Sequence, residues 1–249
     1  MSRPVRIVDI GASNVDGPPV YQPLLDRKLA HVIAFDPQTE LVDRGEGIEV
    51  RDEVLWSRPE PVTMRFCRAP GMSGVLPLAE TAAHFPMLEE WGEVTSTSTM
   101  DATTLDDADV GDVDFIKIDA QGAEGPIIQG GHRAFDAATV VQLELAMVTF
   151  YEGQWDWHDV VSVLDGAGFA LHTIAHSRVR PWIEPGGQAS HPAKQLFEID
   201  AVFVRPPTLW ADLTAGKLRR MAAVLRYVYG SHGLAELADV EALRRDVAS

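Results

Sequence analysis

The chain is short of several things. It has a single cysteine, Cys67, in 249 residues, which excludes an internal disulfide and a cysteine-built zinc cluster and suits a reducing compartment. A lone cysteine of this kind reads as a small buried hydrophobe rather than a nucleophile. No apolar run approaches the ~18 residues that span a bilayer, and the first residues lack the apolar core of a secretory signal. Cations are scarce too. Lys and Arg number 21 against 37 Asp and Glu, for a formal charge of -16. Nucleic acid binding draws on clustered cations, and docking on anionic lipid needs a polybasic face, so neither partner is expected. The expectation is a cytoplasmic protein, with self-association left open.

What is present is alternation. The 46% hydrophobic content is distributed as short apolar runs separated by helical patterns, the mark of a parallel sheet covered on both faces. Val5 to Ile10, His31 to Phe35, Val113 to Asp119, Val140 to Leu145, Phe169 to Ile174 and Ile199 to Val204 read as strands. Glu49 to Trp56 and Val62 to Cys67 look extended. Pro18-Pro19 predicts the start of a helix running to about Leu29. Gln121 to Gly131 reads as a short helix, and Asp156 as the cap of another. Leu218, Met221, Ala222, Leu225, Val228 and Tyr229 mark a helical face that Gly230 closes. One domain is expected over residues 1–205, with a helical extension over residues 206–249 packed on it.

Acids fall at the ends of these strands: Asp9, Asp36 and Asp119, with Glu144 late in another. Taken singly, each is an ordinary helix cap or a solvated side chain. Together they carry more meaning, because open parallel sheets bind ligands beyond the carboxyl ends of their strands, and gathered like charges are costly unless a cation meets them. The turn after the first strand, Asp9-Ile10-Gly11-Ala12-Ser13, fails the dinucleotide fingerprint: Ser13 stands at the second glycine position and Asp16 at the third. No Gly-Lys-Ser/Thr phosphate loop occurs either. A phosphate-free nucleoside cofactor fits better, and S-adenosylmethionine combines a sulfonium cation, an ammonium group and a ribose diol. Asp36 and the adjoining Pro37 would meet the diol, and the acids and carbonyls of the Asp9 to Ser13 turn the ammonium.

Longer segments carry a resemblance. Val8-Asp9-Ile10-Gly11-Ala12, Ala34-Phe35-Asp36-Pro37, Thr104-Leu105-Asp106-Asp107 and Lys117-Ile118-Asp119-Ala120-Gln121-Gly122-Ala123-Glu124 appear in order. Leu143-Glu144 and Tyr151-Glu152-Gly153 follow them. With these the chain resembles the FkbM-type S-adenosylmethionine-dependent methyltransferases. The resemblance implies a class I methyltransferase (Rossmann-like) α/β fold: a seven-stranded, mostly parallel sheet with the last strand antiparallel, plus C-terminal helices. It also implies Asp119 at the floor of an acceptor cleft, with Glu124 and Glu144 as nearby catalytic candidates. One departure is that the glycine usual soon after Gly11-Ala12 is replaced by Val15 and arrives only at Gly17.

The expected reaction is methylation of a hydroxyl on a small molecule, glycan or natural product. A cofactor-binding scaffold without turnover and a nicotinamide-dependent oxidoreductase are the alternatives. Lys117, charged inside an apolar strand, is expected to pair with Glu144 or to leave Glu144 free as a base. Asp119, Glu144 and a third oxygen ligand offer a magnesium alternative, though no spacing demands a metal. His132, His158 and His176 carry no pattern. Residues 69–77 and 178–192 are expected to select the substrate, with Trp155, Trp157 and Trp182 as stacking or packing residues.

Overall fold

The structure is a computed structural model and describes residues 3–15 and 17–248. The chain opens with strand β1 (Val5–Ile10), a single helical turn α1 (Gln22–Leu25) and β2 (Ala30–Phe35). It continues through β3 (Ile48–Arg51), β4 (Val54–Leu55), β5 (Glu60–Cys67), α2 (Leu88–Trp91) and β6 (Val94–Thr103). Then come β7 (Phe115–Ile118), α3 (Glu124–Gln129), α4 (His132–Ala137), β8 (Val140–Ala146) and α5 (Trp157–Gly166). The last elements are β9 (Ala170–Arg180), β10 (Gln195–Val204), α6 (Ala215–Tyr227) and α7 (His232–Ala248).

Seven strands form one sheet in the order β3-β2-β1-β7-β8-β10-β9, parallel except for β10, which runs against both of its neighbours. Its centre is apolar on both faces. Val8, Ile10, Ile116, Ile118, Val141 and Leu143 pack toward α3, α4 and α5, whereas Val5, Ile7, Val32, Phe115 and Val140 pack toward α6 and α7. This two-sided burial accounts for the near-continuous apolar runs of the sequence. The chain winds outward from β1 to β3, then returns to lay β7 on the other side of β1. The sheet therefore reverses its order between β1 and β7, and a crevice opens there. No helix among the described residues is long and apolar enough to cross a membrane.

A second, three-stranded sheet, β4-β6-β5, is inserted between β3 and β7. Its centre strand β6 had no signature in the sequence: Thr95, Ser96, Thr97, Ser98 and Thr99 alternate polar with polar, and all are exposed. Antiparallel pairing with β5 holds it. The expected helix from Pro18 to Leu29 shrinks to the one turn of α1. Pro18, Pro19 and Pro23 remove three successive chances for an amide donor, and Lys28 turns the chain at a φ of 54°. Asp156 does cap α5, its side chain accepting from the Asp159 amide at 3.0 Å. The strand pair β9 and β10 is longer than expected, and the added residues are mainly polar and part-exposed.

At the amino end of the sheet, fully buried Asp114 gathers four donors. Its Oδ2 accepts from Arg3 Nη1 at 2.6 Å and from the Arg6 amide at 2.9 Å. Its Oδ1 accepts from Arg220 Nε at 2.9 Å and faces Lys217 Nζ at 3.2 Å. This one carboxylate thus joins β1, the start of β7 and α6. Asp114→Ala would strand buried cations and is expected to lower the unfolding free energy by about 3–5 kcal/mol. Urea unfolding reads this as a lower midpoint; an unmoved midpoint would show that the network contributes nothing net.

Candidate active site

A cleft of about 560 Å³ lies beyond the carboxyl ends of β1, β2, β7 and β8, within the ~300–1,000 Å³ of small-molecule sites. Asp9, Asp36, Asp119 and Glu144 all line it. Among its described lining residues, seven carboxylates face three Lys or Arg side chains, so the cavity is electronegative.

Gly11 forms the turn that leaves β1. Its φ is 72°, its amide donates to Phe35 O at 2.9 Å, and a Cβ on it would lie 1.8 Å from the carbonyl oxygen of Asp119. Only glycine allows the β1 turn to rest against the end of β7. Below the turn, Asp9 is buried. Tyr21 donates its hydroxyl to Asp9 Oδ2 at 2.7 Å and Lys117 its ammonium to Oδ1 at 3.1 Å. Burial would pull the Lys117 ammonium down, but the charges of Asp9, Asp119 and Glu144 hold it above the ordinary lysine value. Lys117 therefore stays charged and belongs to Asp9, the register partner beside it in the sheet; the expected hydrogen-bonded pairing with Glu144 is not formed. Asp36, at the tip of β2, accepts from the Ser13 amide at 3.0 Å and the Gln38 amide at 2.7 Å. Burial pushes its carboxyl up, against the pull of those two amides. Each oxygen retains a second acceptor direction. Ser13 and Pro37 also line the cleft.

The other half of the cleft lies over β7, β8, β10 and β9. Asp119 Oδ1 accepts from Gln121 Nε2 at 3.0 Å, and Gln121 Oε1 accepts from the Tyr151 hydroxyl at 2.6 Å. Glu144 shares a hydrogen bond with Asp119; burial first, then the charges of Asp119 and Glu198, push its carboxyl well above the usual range. Burial and these neighbouring charges therefore work against the ionised form of Glu144. In the register, Glu144 stands opposite Asp200, Asp200 opposite His176, and Glu198 opposite Arg178. Arg178 Nη1 lies 2.5 Å from Glu198 and 3.7 Å from Glu144. Trp91, Phe150 and Phe197 form the apolar wall.

Two expected site residues stand elsewhere. Glu124 does not line the cleft: it is buried in the first turn of α3, where its Oε1 accepts from the Ala120 amide at 2.9 Å and braces the turn after Asp119. Ala12 points into the core beneath α6, and only its amide serves the turn, donating to Phe35 O at 3.3 Å. Of the tryptophans, Trp155 covers Gly125, Trp157 packs near Phe203, and half-exposed Trp182 tilts against Phe85 at 4.5 Å; none of the three lines the cleft. Of residues 69–77, those from 69 to 75 line the cleft, and of residues 178–192 only Arg178 and Arg180 reach it. Asp16 lies outside the described residues. Sequence reasoning missed Glu198, Asp200 and Trp91 as site residues. The first two had a signal: they alternate with buried Phe197, Ile199 and Ala201, the period of a strand with one functional face.

The strand order, the single reversed strand and the cleft at the switch point define the fold of the class I methyltransferases. The methyltransferase FkbM domain model matches residues 9–171, more than half of the chain, and the chain belongs to the FkbM methyltransferase family. It is similar to the crystal structure of methyltransferase FkbM from Methylobacillus flagellatus at 13% identity and a TM-score of 0.44, covering 81% of this chain and 43% of that one. This chain therefore spans less than half the length of that protein. A SAM-dependent methyltransferase from Anabaena variabilis is similar at 11% identity and a TM-score of 0.36, over 81% of this chain and 77% of that one. Comparison with curated proteins returns no match.

Glu124 generates a pH prediction. Burial pushes its carboxyl up to about 7 from 4.5, so between these values the folded chain keeps a proton that the unfolded chain has lost. Stability from this group is present at low pH and is lost as pH rises through about 7. Glu124→Gln cannot ionise, so its stability relative to wild type is expected to improve by about 2–3 kcal/mol from about pH 5 to about pH 8. Paired denaturant titrations at the two pH values measure the difference, and a constant offset would refute the buried, protonated carboxyl.

Proposed function

We propose that this chain transfers the methyl group of S-adenosylmethionine to a hydroxyl oxygen of a small molecule, sugar or natural product. One observation carries the reading: four strand-end acids, Asp9, Asp36, Asp119 and Glu144, converge on a single cleft whose described lining is rich in carboxylate. Such a cavity opposes a phosphate and welcomes a sulfonium and an ammonium. The close-packed Gly11 turn supplies a flat backbone edge for a nucleoside without the second glycine that a pyrophosphate requires.

Bound in this cleft, the cofactor supplies an electrophilic methyl carbon. The protein's task is then alignment, exclusion of water and handling of the acceptor's proton. Asp36, held by two backbone amides, has acceptor directions left for the ribose diol. The Asp9–Lys117 pair forms a floor that is already neutralised, so excess negative charge remains toward the sulfonium. Asp119 and Glu144 both line the acceptor space, and a Glu144 carboxyl raised above its usual range is the stronger base once ionised. That arrangement suits a base which takes the hydroxyl proton during attack. Gln121, anchored by Tyr151, holds Asp119 in position for this.

Calorimetric titration with S-adenosylmethionine is the first test, and no binding at millimolar cofactor would end the proposal. Asp36→Ala is expected to weaken that binding from a few-fold to about a hundredfold, the ~1–3 kcal/mol of lost charge-assisted hydrogen bonds; unchanged affinity removes Asp36 from the site. Glu144→Gln is expected to lower turnover about 10²–10⁴-fold, read as S-adenosylhomocysteine released across a panel of hydroxylated acceptors, with an unchanged melting temperature. Lost stability with full turnover per folded molecule would instead make Glu144 a packing residue.

A further inference from the structure

Three cationic side chains line the cleft among the described residues, and two of them are engaged by carboxylates. Lys117 is bonded to Asp9 and Arg178 to Glu198. Arg180, the last residue of β9, is different. Its side chain has no hydrogen-bond partner among the described residues, and its Nε is buried without an acceptor. Its guanidinium carbon lies 5.2 Å from the ring centre of Trp91 and 4.9 Å from that of Phe197.

Those two rings make a platform. Phe197 is itself fixed by stacking on Phe150 at 4.7 Å and by an edge contact with Phe85 at 4.8 Å. A guanidinium held against aromatic faces is poorly hydrated and keeps its plane, while its in-plane donors stay available. Nε alone is buried without an acceptor, while the rest of the part-exposed guanidinium borders the cleft, so the Nη donors are the ones placed for a ligand oxygen. Burial and the charge of Arg178 both act against the charge of Arg180, with Glu198 alone opposing them. An anion placed here would relieve both deficits.

The neighbouring acids do not forbid that anion. Glu198 is paired with Arg178 at 2.5 Å, and burial and the charge of Asp119 work against the ionised form of Glu144. We propose that Arg180 is the acceptor-recognition residue of this cleft and that the acceptor carries a carboxylate alongside its hydroxyl. A carboxylate matches the guanidinium fork with two parallel hydrogen bonds, which a neutral hydroxyl or carbonyl does not. The hydroxyl in this statement rests on the methyl-transfer reading above; recognition of the anion does not.

The test is binding by the full chain, read by calorimetry without cofactor, of two matched pairs. These are 4-hydroxybenzoate against its methyl ester, and glucuronate against glucose. In at least one pair the carboxylate is expected to bind about tenfold or more tightly than its neutral partner. Arg180→Gln is expected to abolish that preference, Arg180→Lys to keep part of it, and both to leave affinity for S-adenosylmethionine unchanged. Equal binding within both pairs, a preference that survives Arg180→Gln, or no carboxylate binding at about 10 mM overturns the inference. The wild-type comparison stands by itself should Arg180→Gln fold poorly. If S-adenosylmethionine fails to bind while the carboxylate preference holds and depends on Arg180, the methyl-transfer reading falls and anion recognition at Arg180 remains.

Discussion

A charge pair inside the sheet organises this molecule's cleft. Asp9 and Lys117 sit side by side on adjacent central strands, with side chains 2% and 15% exposed. Withdrawing two charges from water is costly, and removing either partner would leave the other stranded at a cost of about 3–5 kcal/mol. Neither can therefore leave. Lys117 is held by the charges of Asp9, Asp119 and Glu144, and Asp9 in turn draws the Tyr21 hydroxyl across from the segment after β1. The pair thus reaches into three structural neighbourhoods at the crevice where the sheet reverses its order.

From that centre the cleft divides. On the β1–β2 side, backbone amides point at Asp36 and the turn at Gly11 rests on the β7 end, so the geometry is set largely by main chain. On the β8–β10–β9 side, a row of polar side chains crosses the strands in register, with Glu198 paired to Arg178 and the Glu144 carboxyl raised by burial and by the charge of Asp119. One side is rigid and generic. The other is built from side chains.

The sequence made the first side legible and the second only partly so. Central strands such as Val5–Ile10 and Val140–Ala146 announce themselves because both of their faces are buried, and acids at their ends are conspicuous against apolar runs. The cap at Asp156 is a local interaction, readable from neighbours alone. In contrast, β6 owes its existence to pairing with β5, and an exposed Ser/Thr strand carries no periodic signal of burial. The partner of Lys117 was hidden for a related reason: it depends on which strand lies beside β7, and that is a property of topology. Glu124 was misread because an acid in a motif near Asp119 suggests chemistry. Its carboxyl instead holds the Ala120 amide and lies behind the turn. Arg178 and Arg180 fall in the cross-strand extension of β9, past the point where apolar alternation ceases.

The contact at Gly11 has a consequence for how this cleft can diversify. Residue 11 is closed to any side chain, since even a methyl group would collide with the end of the β7 main chain, so this turn has no room to drift. The loop at residues 69–75 is less tightly closed: a Cβ on Gly71 would lie 3.0 Å from the Val15 side chain and one on Gly74 3.1 Å from that of Gln121. The cleft therefore joins a turn that admits no side chain to a rim where small shifts can make room, a fixed seat beside an adjustable jaw.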